Sequence, residues 1–330
     1  MKVNSLKSLS IKPLSNFATF ATTCNISRFL FYRYHLNFTY IPRYKVHRDL
    51  RYQIDKKFFT KKSNKIRNIK LIKSVLCYCS RSANRQKLIM SKFVRPESLS
   101  FPQVYHTFKA KNKAGDAEIE YEIKDLPESL FEAALELLTS DFVPDETICA
   151  AKNITSNEAA MNEIRYFWHK LMKGGFSVGC FANDGSNDLA GLAVMTVFNK
   201  GDPRPGELKP NEQDTKDILD LLRFVFNEYD VYAKYNVESY LSECAMCTKK
   251  EYRNRGIGTE LIRSRTNQLK ALGLQLTSTA FTVIGGQKGA VKVSHTDGFQ
   301  ISYDDLQKKY PSFDFSKKNT EFLKIMDFKI

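Results

Sequence analysis

No run of about 18 consecutive apolar residues occurs in this chain of 330 residues, so no membrane-crossing helix is expected. Acidic residues are nearly missing from the first 89 positions, which hold only Asp49 and Asp55 against 20 Lys and Arg. The other 241 residues carry 31 basic and 34 acidic side chains. The formal net charge of +15 therefore belongs to the first quarter of the chain, and the remainder stands at −3. A folded body that bound nucleic acid would carry the basic excess itself. Neither nucleic acid nor membrane is an expected partner.

Cysteine forms no framework. The seven residues at 24, 77, 79, 149, 180, 244 and 247 are odd in number and irregular in spacing, which argues against a disulfide scaffold and fits a reducing compartment. Cys244-x-x-Cys247 is half of a zinc pattern, with no second Cys or His pair nearby to complete it. Within "YLSECAMCT" the two thiols read as packed residues of a strand. No metal is expected, and the expected location is cytoplasmic.

Residues 1–89 are basic, serine-containing and acid-poor, as in "NISRFLFYRYHLNFTYIPRYKVHRDLRYQ". That composition suits a mitochondrial transit segment, the alternative to a cytoplasmic location. The segment is long for that role and shows no clean amphipathic Arg helix. We divide the chain into a basic N-terminal extension, 1–89, disordered or targeting, and a folded domain, 90–330, opening at Met90. A nucleic-acid-binding arm is the third reading of 1–89.

From residue 90 onward, strand and helix signals alternate. "IEYEIKDL" (119–126) has strand periodicity and runs into Pro127, which is suited to a first helical turn. Leu130, Phe131, Ala134, Leu135 and Leu138 then share one face of a helix expected over 128–142. A second helix is expected over 156–175, capped by Ser156 and ended by Gly174 and Gly175, with His169 as a helix-end residue. A hairpin around "NDGSND", a helix over 214–229 and strands over 238–248, 274–284 and 320–330 follow, with a short helix in "GQKGAVKV". The hairpin makes the sheet mixed.

Strand 238–248 leads directly into "EYRNRGIGTELI", where a helix begins near Gly258. The first amides of a helix have no internal partner and sit at the positive end of its dipole. Glycines let a ligand come close to them. Arg253 and Arg255 add charge and fork-like donors. Together these features describe an anion cradle. A dinucleotide fingerprint would place glycine at 261, where Leu261 stands, and a P-loop would place Lys after the glycine, where Thr259 stands.

Arg253, Gly256 and Gly258 resemble the Arg/Gln-x-x-Gly-x-Gly/Ala signature of GCN5-related N-acetyltransferases (GNAT). "QKGAVKVSHTDGF" resembles their Asn-x-x-Ala-x-x-Leu-Tyr-x-x-x-Gly-Phe segment at Ala290, Gly298 and Phe299, with Gln287, Val293 and Ser294 departing from it. More narrowly, about 93–330 resembles insect arylalkylamine N-acetyltransferases, including dopamine N-acetyltransferase-like enzymes: "DFVPDETIC" looks like their Asp-Glu-Pro segment, with Thr147 in place of Pro. The resemblance implies an α/β (α+β) GNAT fold, a mixed central sheet with splayed fourth and fifth strands flanked by helices. It implies acetyl-CoA as co-substrate, held by Met246, Thr248, Arg253, Asn254, Arg255, Gly256, Ile257, Gly258 and Thr259. Two serines that assist catalysis in some members would fall at Gly285 and Gly289.

The implied reaction is acyl transfer from acetyl-CoA, or another acyl-CoA, to a small primary amine. An alkylamine is protonated at neutral pH and needs a base; by resemblance the base is Glu146, with Glu243 a weaker candidate. A protein or peptide N-acetyltransferase and a CoA-binding homologue with little turnover are the alternative readings.

Overall fold

Eight strands join in one sheet in the computed structural model, which describes residues 93–115, 117–202 and 210–330. The extension 1–89 lies outside the described residues. In chain order the strands are β1 Val104–Lys111, β2 Glu118–Asp125, β3 Val178–Ala182, β4 Leu189–Asn199, β5 Ser239–Thr248, β6 Leu276–Phe281, β7 Thr296–Ser302 and β8 Phe322–Lys329. Their spatial order is β1-β2-β3-β4-β5-β6-β8-β7. All neighbours are antiparallel except β5 and β6.

Two strands, β1 and β7, were not expected from sequence. Because β1 precedes the first expected strand, the splayed pair is the fifth and sixth in chain order, not the fourth and fifth.

Nine helices are described: α1 Phe131–Leu137, α2 Thr147–Ala151, α3 Glu158–Met172, α4 Gln213–Asn227, α5 Val231–Tyr235, α6 Ile257–Arg263, α7 Arg265–Leu272, α8 Ile284–Lys292 and α9 Tyr303–Lys309. The helix expected over 128–142 breaks up. A 3-10 turn precedes α1, and a π-helical turn, Leu138–Phe142, follows it. Its Val143 amide donates to the Leu138 carbonyl at 3.0 Å, the five-residue spacing that swings the chain out towards Glu146. The helix expected from 156 starts later, because Asn157 is its cap: the Asn157 side chain accepts from the Ala160 amide at 3.1 Å.

Period-2 alternation sorts the strand side chains onto two faces. Leu192 and Val194 of β4 pack with α1, α2, α3 and α4, while Ala193, Met195 and Val197 pack with Ile257 and Leu261 of α6 and Leu269 and Leu272 of α7. Each such buried aliphatic side chain contributes roughly 1.5–3 kcal/mol relative to exposure. At the N-terminal end of the domain, Arg95 closes the structure: both terminal nitrogens bond the fully buried Asp125, at 3.0 and 2.6 Å.

The arrangement of β5 and β6 positions the site. They share one registered pair, Leu241 with Thr277, and then part. Past the Glu243 amide, which reaches the Thr279 hydroxyl at 3.3 Å, β5 keeps β4 on one side and opens to a cavity on the other. The β4–β5 register also shifts here: Val194 faces Ala245 and Met195 faces Glu243, leaving Cys244 as a bulge residue at the fork.

Candidate active site

The fork opens into a cavity of about 1520 Å³. Its walls come from the end of β5, the loop and first turn of α6, the β6–α8 link, the 141–151 segment and the inner faces of α3 and α4.

At the β5 end, the chain turns through Asn254 (φ 63°) and Gly256 (φ 83°), both left-handed, before α6 begins. Gly256 is the N-cap and supplies no side-chain cap. The first helical bond runs from the Glu260 amide to the Gly256 carbonyl at 3.1 Å, so the amides of Ile257, Gly258 and Thr259 come before it. A Cβ at Gly256 would meet nothing within 4 Å, and one at Gly258 only the Thr248 hydroxyl at 3.7 Å. The cradle is bare and open, as an anion requires.

Both arginines bond protein groups around the turn. Arg253 donates to the Thr248 carbonyl at 3.2 Å, the Asp141 carbonyl at 2.8 Å and the Asp145 carboxylate at 2.6 Å. Arg255 donates to the carbonyls of Asn112, Lys113 and Arg253 at 2.7, 2.9 and 2.9 Å, and it is not on the cavity wall. These guanidinium groups fasten the walls of the turn, and the amides that come before the first helical bond are those of Ile257, Gly258 and Thr259. Met246, Thr248, Arg253, Asn254, Gly256, Ile257, Gly258 and Thr259 all line the cavity.

Glu146 lies on the same wall, 7% exposed, as the N-cap of α2. One carboxylate oxygen accepts from the Ile148 amide at 3.0 Å and the other from the Cys149 amide at 2.7 Å. A carboxylate has about four acceptor sites, so each oxygen can still take a proton or a water from the cavity. Thr147 and Tyr303 both donate to the Thr282 carbonyl, at 2.9 and 2.6 Å, which ties the Glu146 segment across to the β6–α8 link.

Glu243 also faces the cavity, but its carboxylate is held by the buried Arg265, which donates in turn to Thr279 at 3.3 Å. Burial raises the Glu243 carboxyl and lowers the Arg265 guanidinium, and their mutual attraction opposes both shifts. This ion-paired group is a poor base.

Cys247 is buried, as the strand reading expected, whereas Cys244 is half-buried and both line the cavity. Burial pushes both thiols up to about 12, so neither is a thiolate nucleophile near neutral pH. Among the described residues, no group of three or more His, Cys, Asp or Glu could hold a metal ion. His169 stands at the end of α3 with its ring edge-on to Phe131 at 5.8 Å, away from the cavity. Gly285 lines the cavity and Gly289 does not; Ser294 is exposed, at φ 68° just past α8.

The sequence leaves open whether helix 214–229 only packs or also shapes a pocket, and the structure puts part of it on the cavity wall. Ile218, Leu219, Leu222 and Phe226 of α4 line the cavity, together with Phe198, Phe142, Phe167 and Trp168. The apolar periodicity of α4 was visible, but nothing local says whether such a face meets a core or a cavity.

Among solved structures, the chain is similar to one named as "insect putative arylalkylamine N-Acetyltransferase 7" of the yellow fever mosquito, with 29% identity and a TM-score of 0.68, over 72% of this chain and 99% of that one. Arylalkylamine N-acetyltransferase 2 of Aedes aegypti matches at 19% identity and a TM-score of 0.56, over 64% and 99%. Polyamine N-acetyltransferase of Drosophila melanogaster, which forms N-acetylagmatine, matches at 17% and 0.55, over 64% and 100%. No family model matches the sequence, and no curated protein does.

Proposed function

We propose, from the premise that the chain is an N-acetyltransferase with a GNAT fold close to that of insect arylalkylamine N-acetyltransferases, that it transfers an acyl group from acetyl-CoA to a primary amine with an aryl or alkyl tail. The observation that carries this is the parting of β5 from β6 after one pair, which runs a single cavity from the amide cradle, past Glu146, to the apolar face of α4.

The residues present fit the donor. Ile257, Gly258 and Thr259 offer amides to a diphosphate at a helix start that no Cβ blocks. Met246 and Thr248 flank the way into the fork.

The fit to the acceptor rests on carboxylates and on apolar surface. Among the described residues, six carboxylates line the cavity, each accepting at least one hydrogen bond or ion pair. Asp141 accepts from the Lys250 amide, Asp145 from Arg253, Glu146 from two α2 amides and Glu163 from the Asn211 and Glu212 amides. Glu243 is paired with Arg265, and Asp314 accepts from the Ser316 amide. The apolar face of α4 favours an acceptor with an apolar tail.

In the transfer, Glu146 takes a proton from the ammonium group, directly or through a water. The freed nitrogen attacks the thioester carbonyl carbon and the C–N bond forms; the nitrogen gives up its second proton to water, the C–S bond breaks, and the departing thiolate takes a proton from water. The opened edge of β5 offers backbone donors to the charge growing on the carbonyl oxygen. Holding both substrates in one cavity supplies much of the acceleration. Burial raises the three cavity thiols, Cys149, Cys244 and Cys247, which favours direct attack over an acyl-cysteine route.

The test is a screen of primary amines with acetyl-CoA, following release of the free thiol, alongside Glu146→Gln. The expected outcome is turnover with aryl- or alkylamines, a loss of about 100-fold or more in Glu146→Gln, and unchanged CoA affinity by calorimetry. Equal turnover by the variant removes Glu146 from the mechanism. We also propose a cytoplasmic location, supported by the four free thiols of the described residues and checked by imaging a fluorescent fusion of the full chain.

A further inference from the structure

Helix α8 carries three glycines in nine residues, at 285, 286 and 289. Glycine weakens a helix through backbone entropy, so each calls for a reason. A Cβ at Gly286 would stand 2.9 Å from the Phe281 ring. One at Gly289 would stand 3.1 Å from Ile262 and 3.4 Å from the Thr259 hydroxyl. Both positions are small because neighbours press on them. Gly285 has no such reason: nothing lies within 4 Å of its Cβ position, and its φ is not left-handed. It lines the cavity and is exposed there.

Gly285 lies on the donor side. It stands one helical turn from Gly289, which touches Thr259 of the cradle, and residues four apart share a helix face. The apolar wall for the acceptor tail belongs to α4. The lining of the same cavity includes Ile284, which precedes Gly285 in the chain, and Ala280, Ile148 and Cys149. The cavity, at about 1520 Å³, also exceeds the roughly 300–1,000 Å³ of ordinary ligand pockets.

We infer that Gly285 sets the acyl-chain length, and that the bare first turn of α8 admits an aliphatic acyl group longer than acetyl. The preferred donors are then medium-chain acyl-CoA thioesters. This rests on the cavity being the acyl-CoA site proposed above.

The test is the affinity of the full chain for CoA, acetyl-CoA and hexanoyl-CoA, by calorimetry without any amine. Each buried methylene strengthens binding by about fourfold. Hexanoyl-CoA is expected to bind at least about tenfold more tightly than acetyl-CoA. In Gly285→Val that preference is expected to vanish, with CoA itself changed by no more than about twofold; Gly285→Ala falls between. A wild-type chain without the preference overturns the inference, and so does a valine variant that weakens all three ligands equally, which would place Gly285 beside the pantetheine arm. If the wild-type chain binds no CoA at all, the proposed function falls and this inference with it. CoA binding without chain-length preference sinks the inference alone.

Discussion

Arg253 and Asp145 are 108 positions apart in sequence, and Nη1 of one bonds Oδ2 of the other at 2.6 Å. The same guanidinium reaches the carbonyls of Asp141 and Thr248, so one side chain joins the α6 cradle to the segment that carries Glu146. Thr147 ties the far end of that segment to Thr282. The donor cradle and the proposed base are thus set at a fixed spacing.

Arg253→Ala is therefore expected to affect the reaction more than cofactor binding. The amine kcat/KM should fall by about tenfold, since small misplacements of reacting groups are costly. The dissociation constant of CoA should rise by no more than about threefold, because the donors to the anion are amides. Calorimetry beside steady-state kinetics separates the two. A large loss of CoA affinity with kcat intact would return Arg253 to the diphosphate.

Gly256→Ala tests the cradle. At φ 83° with open space around the Cβ, the only expected penalty is conformational, about 1–2 kcal/mol for a left-handed L-residue. Urea denaturation should show a lowered midpoint with an unchanged slope.

Arg95→Ala should destabilise the fold by about 3–5 kcal/mol, because it strands a buried carboxylate. Asp125 is fully buried and bonded by Arg95 and by the Tyr105 hydroxyl. Asp125→Asn in the same chain should recover part of the loss. A change under about 1 kcal/mol, the range of surface pairs, would show that Asp125 reaches water.

His295 gives a pH dependence. It is 5% exposed, stacked on Phe328 at 5.3 Å, and burial together with the nearby Arg265 charge lowers it to about 3. The unfolded chain takes up the proton below about 6.5, while the folded chain does not until about 3. Its stabilising contribution is complete above the unfolded value and drains away as pH falls through that window. Between pH 7 and pH 5 the loss should be about 2 kcal/mol. His295→Phe should flatten this slope in chemical denaturation; an unchanged slope would mean that other groups carry it.

The sequence by itself determined the elements whose chemistry is local. The helical periods of α3 and α4 and the glycine turn ahead of α6 follow from side-chain period and from the one residue without a Cβ, whereas the left-handed φ of Gly256 and Asn254 is a finding of the structure. Of the residues expected from sequence to hold the donor, all but Arg255 lie on the wall of one cavity. The two strands missed, β1 and β7, are the two edges of the sheet. From His106 to Lys111 β1 alternates half-buried with exposed residues, but only Tyr105 is fully covered, and no residue of β7 is buried, so the apolar contrast of either strand is weak.

What only the tertiary structure decided is which partners meet. A guanidinium has the same chemistry whether it faces a phosphate or a carbonyl, and Arg255 finds its carbonyls 142 and 143 residues away. The fork between β5 and β6 is likewise invisible in either strand alone. It exists because the two separate after one pair, and that separation converts packed strand residues into cavity walls.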